Sequence, residues 1–281
     1  MNGPVGTLYL VGTPIGNLED ITMRALRVLR EVPLIAAEDT RATRKLLERY
    51  AIHQTLVSYF DHNERARVVP LLERLREGDL ALVSEAGMPA ISDPGYVLVK
   101  AAIEHGIRVV PIPGPSAPVA ALAASGLPTD QFTYLGFLPR RAAERRKMLE
   151  SVRDEPRTLV AFEAPHRLVE TLRDVLAELG DRQLVVAREL TKIHEEFVRG
   201  SAEKVLAHFE AVPPRGEVTM IIAGATEQKR ASQVDLTARV RELIEAGVSN
   251  RDIVSTVSEE TGIPRRQIYQ LLLGLRKCAK M

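Results

Sequence analysis

Tryptophan is absent from this 281-residue chain and aromatic residues make up only 4% of it, so no ring platform for stacking bases announces itself. Cysteine occurs once, at Cys278, which excludes an internal disulfide framework and fits a reducing compartment. The six histidines, at 53, 62, 105, 166, 194 and 208, form no H-x-x-x-H pair, and no metal site is expected. No serine stands in a G-x-S-x-G elbow, so a hydrolase triad has no visible nucleophile. No run of 18 apolar residues occurs; the most apolar segment, APVAALAASGL at 117–127, is too short to span a bilayer and is broken by Ser125 and Gly126. No basic residue precedes the short apolar run of MNGPVGTLYL, so a secretory signal is not expected and a cytoplasmic location is. Neither charge dominates, with 38 basic and 37 acidic residues, and any contact with nucleic acid must be local rather than driven by a global field.

What is present is an apolar content of 45%, enough for two medium cores and a small appendage. Short β-rich runs at 7–12, 33–39, 55–60, 80–87 and 107–112 alternate with amphipathic helical patterns such as Leu18–Leu29 and Val68–Arg76. Such alternation predicts a parallel-rich α/β domain over 1–125. A second series, at 132–139, 157–165, 183–190, 195–200 and 216–224, includes strands too close together for helical crossovers. A second, unlike α/β domain with antiparallel pairs is therefore expected over 126–226. A polar linker is expected at 225–233 and a three-helix module over 234–281.

In that module Leu236, Val240, Leu243 and Ile244 share one helical face and Gly247 suits a helix end. Ser249 with Asp252 resembles a capping box, Gly262 ends the second helix, and Ile268, Leu271, Leu272 and Leu275 form the stripe of a third. This pattern fits a helix-turn-helix that touches RNA or DNA through Arg265 and Arg266, which sit where such helices meet phosphates, although a packing unit with no such role would look the same. The densest basic cluster, PRRAAERRK at 139–147, offers Arg140, Arg141, Arg145 and Arg146 either as a solvated helix face or as a phosphate-contacting surface.

Ligands of open α/β sheets bind beyond the carboxyl ends of the strands. Four loops of the first domain fall there: GTPIGNLED, EDTR at 38–41, SEAGMPAISDPG at 84–95 and PGPSA at 113–117. Gly12 and Gly16 are four apart and no lysine follows them, so neither the dinucleotide fingerprint nor the P-loop is met. The four loops together predict a pocket for some other small ligand.

Taken in order, GTPIGNLEDIT, AAEDTR, DHNE at 61–64, ISDPG, PGPSA, GFLPR, ARELTK at 187–192 and GE at 216–217 resemble the tetrapyrrole-methylase superfamily of S-adenosylmethionine-dependent methyltransferases. They are more similar still to its bacterial ribosomal RNA branch, which 2'-O-methylates a cytidine ribose of small-subunit (16S) rRNA. The resemblance runs from about residue 7 to 224, with a similar helical extension. It implies a homodimer of two unlike α/β domains, S-adenosylmethionine in the cleft between them, and naked rRNA or the assembled small subunit as substrate. A methyltransferase of corrin or porphyrin precursors, or a non-catalytic ligand-sensing nucleic-acid binder, are the alternatives; the basic tail argues against the former.

Position by position, the resemblance puts Pro14, Ser84, Glu85, Met88, Ser116 and Ala117 of the first domain around the cofactor, with Phe162, Glu163, Ala187 and Glu217 closing it from the second. The chain reads VSEAGMP where VSDAGTP is usual, so Glu85 and Met88 stand for aspartate and threonine, and Met88 cannot donate a hydroxyl hydrogen bond. Because a sulfonium is already an activated methyl donor, alignment should dominate, supplying about 7–11 kcal/mol against about 3–5 from a general base. Asp39, Asp61, Lys192 and Glu195 are the candidates to orient or deprotonate the hydroxyl, and Asn17, Arg24 and Arg41 to hold RNA.

Overall fold

The computed structural model describes residues 6–225, 227–261 and 263–278, excluding the side chains of 227–235 and 276–278. The chain forms two compact units, 1–152 with 157–223, and 153–156 with 224–281.

The first unit carries two five-stranded sheets. In the first, β1 (Thr7–Val11), β2 (Leu34–Ala37), β3 (Thr55–Ser58), β4 (Leu80–Val83) and β5 (Arg108–Ile112) run parallel in the order β3-β2-β4-β1-β5. The helices α1 (Met23–Glu31), α2 (Thr40–Arg49), α3 (Glu64–Glu77) and α4 (Tyr96–Glu104) connect them. β4 is buried throughout, as its unbroken apolar sequence requires of a strand covered on both faces. The expected helix from Leu18 starts later, because Asn17 caps a single 3-10 turn at Leu18–Asp20 and the Thr22 hydroxyl, accepting from the Ala25 amide at 3.1 Å, opens α1. From there Ala25, Leu26, Val28 and Leu29 bury one stripe against the sheet, each of the larger side chains contributing about 1.5–3 kcal/mol.

Strand order decides where a ligand fits. From β1 the chain crosses toward β3, whereas from the adjacent β4 it crosses the other way to β5, so a switch point lies between β1 and β4. The loops leaving these two strands join there, through paired backbone hydrogen bonds of Thr13 and Gly87 at 2.9 and 3.0 Å.

The second sheet contains β6 (Phe132–Phe137), β7 (Thr158–Glu163), β8 (Gln183–Arg188), β9 (Glu196–Ser201) and β10 (Val218–Ile222), in the order β6-β7-β10-β8-β9. Only β6 and β7 are parallel; the expected antiparallel pairs are β7–β10, β10–β8 and β8–β9. The helices α5 (Ala117–Ser125), α6 (Ala142–Ser151), α7 (Leu168–Leu179) and α8 (Ala202–Ala211) complete the unit. α5 follows the first sheet yet packs on the second, Ala121 and Leu122 meeting Val160, Val185 and Ile221. The Arg199 guanidinium fixes its end by donating to the Ala124 and Ser125 carbonyls at 2.7 and 3.2 Å. Thus α5 joins the two sheets, and its first turn lies beside the switch point.

The second unit has three helices, α9 (Glu227–Glu245), α10 (Asn250–Thr261) and α11 (Arg265–Cys278). α9 already covers most of the stretch expected to be a polar linker: Glu, Gln, Lys, Arg and Ala are good helix formers, and polarity alone does not break a helix. Leu236, Val240, Ile253, Val257, Ile268 and Leu272 form the core of this unit, and Ser249 caps α10: its hydroxyl accepts from the Asp252 amide at 3.3 Å and donates to the Asp252 carboxylate at 2.6 Å. Gly262 lies outside the described residues.

Candidate methyl-transfer site

A cavity of about 410 Å³ opens at the switch point, within the usual range for small-ligand sites. The first sheet supplies Ile15 after β1, Glu38 after β2, Glu85, Met88, Ile91 and Asp93 after β4, and Ser116 and Ala117 at the start of α5. The second sheet closes it with Phe137, with Phe162 to Pro165 at the end of β7, and with Gly216 to Thr219 leading into β10. A bulge between Tyr134 and Gly136 precedes Phe137, whose ring lies 5.1 Å from that of Phe162, so the far wall is aromatic.

Seven of the ten residues expected around the cofactor line this cavity: Glu85, Met88, Ser116, Ala117, Phe162, Glu163 and Glu217. Three do not. Pro14 is buried in the loop just before Ile15, Ser84 is buried behind the β4 loop, and Ala187 is enclosed in β8, paired to the lining residue Thr219 of β10. Glu163 reaches the cavity with its carboxylate already engaged by Arg167, by the Thr171 hydroxyl at 2.6 Å and by the Ala164 amide at 2.7 Å. Its charge therefore serves the start of α7.

Glu38 and Asp93 also line the cavity, in the EDTR and SEAGMPAISDPG loops, where no local sequence signal distinguishes them from their neighbours. Burial raises the Glu38 carboxyl above its ordinary range, against the Glu85 amide that donates to it at 3.1 Å, while Glu85, Asp61 and Asp39 push it further up. Burial likewise raises Asp93, helped by the charges of Glu38, Asp61 and Glu85, to about 6. The Ser84 hydroxyl opposes this shift, facing the carboxylate too loosely for a well-formed hydrogen bond. One end of the cavity is thus a set of crowded carboxylates, and the other is apolar.

The expected catalytic side chains lie elsewhere. Asp39 caps α2: its carboxylate accepts from the Arg41 and Ala42 amides at 2.7 and 3.2 Å, which hold it below its ordinary range and make it a weak proton acceptor. Lys192 sits between Glu189 and Glu217 at 2.9 and 3.2 Å; burial works against its charge, but the two carboxylates outweigh burial and raise it above an ordinary lysine. It is a fixed cation rather than a base. Glu195 accepts from the Thr191 amide at 2.7 Å and closes the same turn.

That turn borders an open groove formed by Gly16, Asn17, Leu18, Glu19, Arg49 and Thr191 to His194. The Asn17 amide donates to the Thr191 hydroxyl at 3.0 Å, and a Cβ on Gly16 would lie 2.5 Å from the Lys192 Cγ, so only glycine permits this approach. Of the basic side chains expected at RNA, Arg24, Arg41, Arg140 and Arg141 are exposed, with Arg41 beside Asp39 and Arg141 beside Glu144.

Arg145 is a correction: it is 2% exposed and pairs with the buried Asp174 at 2.6 Å. Its neighbour Arg146 shares that carboxylate at 2.6 Å, with its own side chain 59% exposed. The sequence shows a run of arginines on one helix; it does not show which of them faces an aspartate 29 positions away. Among the described residues no group of three or more histidine, cysteine or acidic side chains could hold a metal ion.

The profile of the tetrapyrrole (corrin/porphyrin) methylases matches residues 7–206, the span that contains both sheets' site loops up to β9. The chain belongs to this family. Ribosomal RNA small subunit methyltransferase I of Synechocystis sp. is 49% identical to it over 96% of this chain and 99% of its own length. The protein of the same name from Micromonospora olivasterospora is 50% identical, covering 94% of this chain and 86% of its own. The one from Thermotoga maritima is 51% identical and matches 99% of its own length on only 78% of this chain. Among solved structures, diphthine synthase superposes with a TM-score of 0.59 at 16% identity, over 78% of this chain and 90% of its own. Uroporphyrin-III C-methyltransferase of Thermus thermophilus, complexed with S-adenyl homocysteine, does so with a TM-score of 0.54 at 24% identity, over 78% and 97%. These two similarities establish the methylase fold.

Proposed function

We propose that the protein is an S-adenosylmethionine-dependent methyltransferase that 2'-O-methylates a cytidine ribose in small-subunit ribosomal RNA. Identity of 44–51% to relatives named for rRNA methylation carries this reading, and the cavity agrees with it chemically. Ile15, Met88, Ala117, Phe162 and Val218 offer an apolar bed for an adenosyl group, and Glu38, Glu85 and Asp93 suit a donor with net positive charge. The donor, when bound, supplies an activated methyl group. The chain's task is to exclude water and align the acceptor oxygen, which the two abutting loops and α5 do by fixing the cavity walls.

In this reading the groove beside Lys192 and Asn17 leads the RNA toward the cavity, with Arg24, Arg41, Arg140, Arg141 and Arg146 as phosphate contacts. Arg145 is left out because it is buried. A homodimer in the cytoplasm is the corresponding assembly. The test supplies labelled methyl donor with assembled small subunits, with naked rRNA and with a tetrapyrrole precursor. Label on the RNA ribose is expected; label on the tetrapyrrole alone would replace the proposal.

A further inference from the structure

We propose that Asp93 is the general base of the transfer: its carboxylate accepts the proton of the substrate hydroxyl as that oxygen bonds to the methyl carbon and the donor's carbon–sulfur bond breaks. Charge balances, since the carboxylate is neutralised and the sulfonium leaves as a neutral thioether. The inference rests on reading the cavity as the methyl-transfer site.

The loop that carries Asp93 is held in a costly shape. Ala90 and Ser92 take φ values of +69° and +60°, left-handed conformations that non-glycine residues rarely adopt. The strain is fixed from several sides: the Ala90 amide donates to the Pro94 carbonyl at 3.3 Å, and the Ser92 and Tyr134 hydroxyls meet at 2.7 Å, tying the loop to β6. At Gly95 a Cβ would lie 3.1 Å from the Ala90 amide nitrogen, so the end of the loop packs closely on its start. Asp93 is the acidic residue this arrangement places in the cavity wall.

The other carboxylates are engaged or exposed. Asp39 spends its charge on two amides, Glu163 on Arg167 and α7, Glu38 on the Glu85 amide, and Glu217 on Lys192 with 72% of its side chain exposed. Glu85 is exposed. Asp93 forms no ion pair among the described residues. The groups that face it are Glu38 from the end of β2, Asp61 from the loop after β3, Glu85 and Ser84 from its own loop, and Tyr134 from β6. All the charged ones are acidic, and with burial they lift its carboxyl to about 6, where an acid is still ionised at neutral pH yet holds a proton far better than an ordinary aspartate.

The experiment compares wild type, Asp93→Asn and Asp93→Glu on small-subunit RNA between pH 5 and 9. For Asp93→Asn, kcat should fall about 10²- to 10⁴-fold, with S-adenosylhomocysteine affinity and KM for RNA changed less than about threefold. The acidic limb of kcat/KM near pH 6 should disappear with it. Asp93→Glu should recover at least about a tenth of the wild-type rate. In the unliganded wild type, a carboxyl carbon resonance absent from Asp93→Asn should titrate near pH 6, a readout that needs neither donor nor RNA. A kcat within about fivefold of wild type with the acidic limb intact would overturn the proposal while leaving the function standing. Lost S-adenosylhomocysteine binding in Asp93→Asn, or a resonance titrating below pH 5, would overturn it too. A wild type that labels no RNA would overturn both.

Discussion

Gly12 at the end of β1 and Gly114 beyond the end of β5 meet backbone against backbone. A Cβ on Gly12 would stand 2.8 Å from the Gly114 Cα, and one on Gly114 would stand 2.9 Å from the Gly12 carbonyl carbon. The same Cβ on Gly12 would also stand 2.8 Å from the Met88 sulfur. These glycines therefore nest three loops together, and the cavity wall follows from that nesting.

Gly114→Ala should shift both loops, since neither obstructing group is the tip of a flexible side chain. Overpacking of this kind costs about 1–3 kcal/mol, which for this size of domain lowers the melting temperature by about 2–4 °C per kcal/mol. S-adenosylhomocysteine affinity should fall at least about tenfold. Calorimetric titration and a thermal melt check both; unchanged affinity would detach these loops from the ligand.

Much of this fold is legible in the residues. The ten strands follow from β-branched runs bounded by turn residues, and the short connections around β8 and β9 announce antiparallel pairing. The strand order is not legible, because local patterns do not record which strand lies beside β1. The site divides in the same way: Met88, Phe162 and Glu217 stand in recognisable motifs, whereas the importance of Glu38 and Asp93 depends on mutual proximity across loops distant in sequence. Asp39 shows the converse. A motif aspartate directly before a helix is first of all a cap.

Arg145 and Asp174 separate stability from RNA contact. Asp174→Ala would leave the guanidinium of Arg145 buried without its partner, a loss of about 3–5 kcal/mol for a broken buried pair. Denaturant unfolding should show that loss. Arg141→Ala, at a side chain 83% exposed, should leave the unfolding curve unchanged and flatten the slope of log K against log salt for RNA binding by about 1.

Asp93 also links stability to pH. Its folded carboxyl keeps a proton up to about pH 6, whereas the unfolded chain releases it near the ordinary 3.8. Between these values the native state binds more protons, so stability falls as pH rises; the cost is complete above about pH 6 and absent below 4. Asp93→Asn removes a charge that the fold disfavours. It should melt about 2–4 °C above wild type at pH 7.5, on the order of 1 kcal/mol after allowing for partial solvent contact. The gain should vanish at pH 4, and an equal gain at both pH values would refute the linkage.

The three C-terminal helices provide the last prediction. Arg239 binds Glu242 and Glu260 at 2.9 and 3.0 Å, tying α9 to α10, so it belongs to the module's own structure. Arg265 and Arg266 begin α11 exposed, and among the described residues only Arg265 has an ion-pair partner, Glu259 at 3.8 Å. At such a helix start the free amides and the dipole favour phosphate. The Thermotoga maritima relative is matched over 99% of its length by 78% of this chain, so an appendage of this size is not common to all of these proteins. Deleting residues 224–281 should therefore weaken RNA binding while leaving S-adenosylhomocysteine affinity intact. In the full chain, Arg265→Ala with Arg266→Ala should flatten the slope of log K against log salt by about 1 per arginine, whereas Arg239→Ala should lower the module's stability and leave the slope unchanged. A slope unaffected by the arginine pair, together with full methylation by the truncated protein, would reduce the module to a packing unit without contact to RNA.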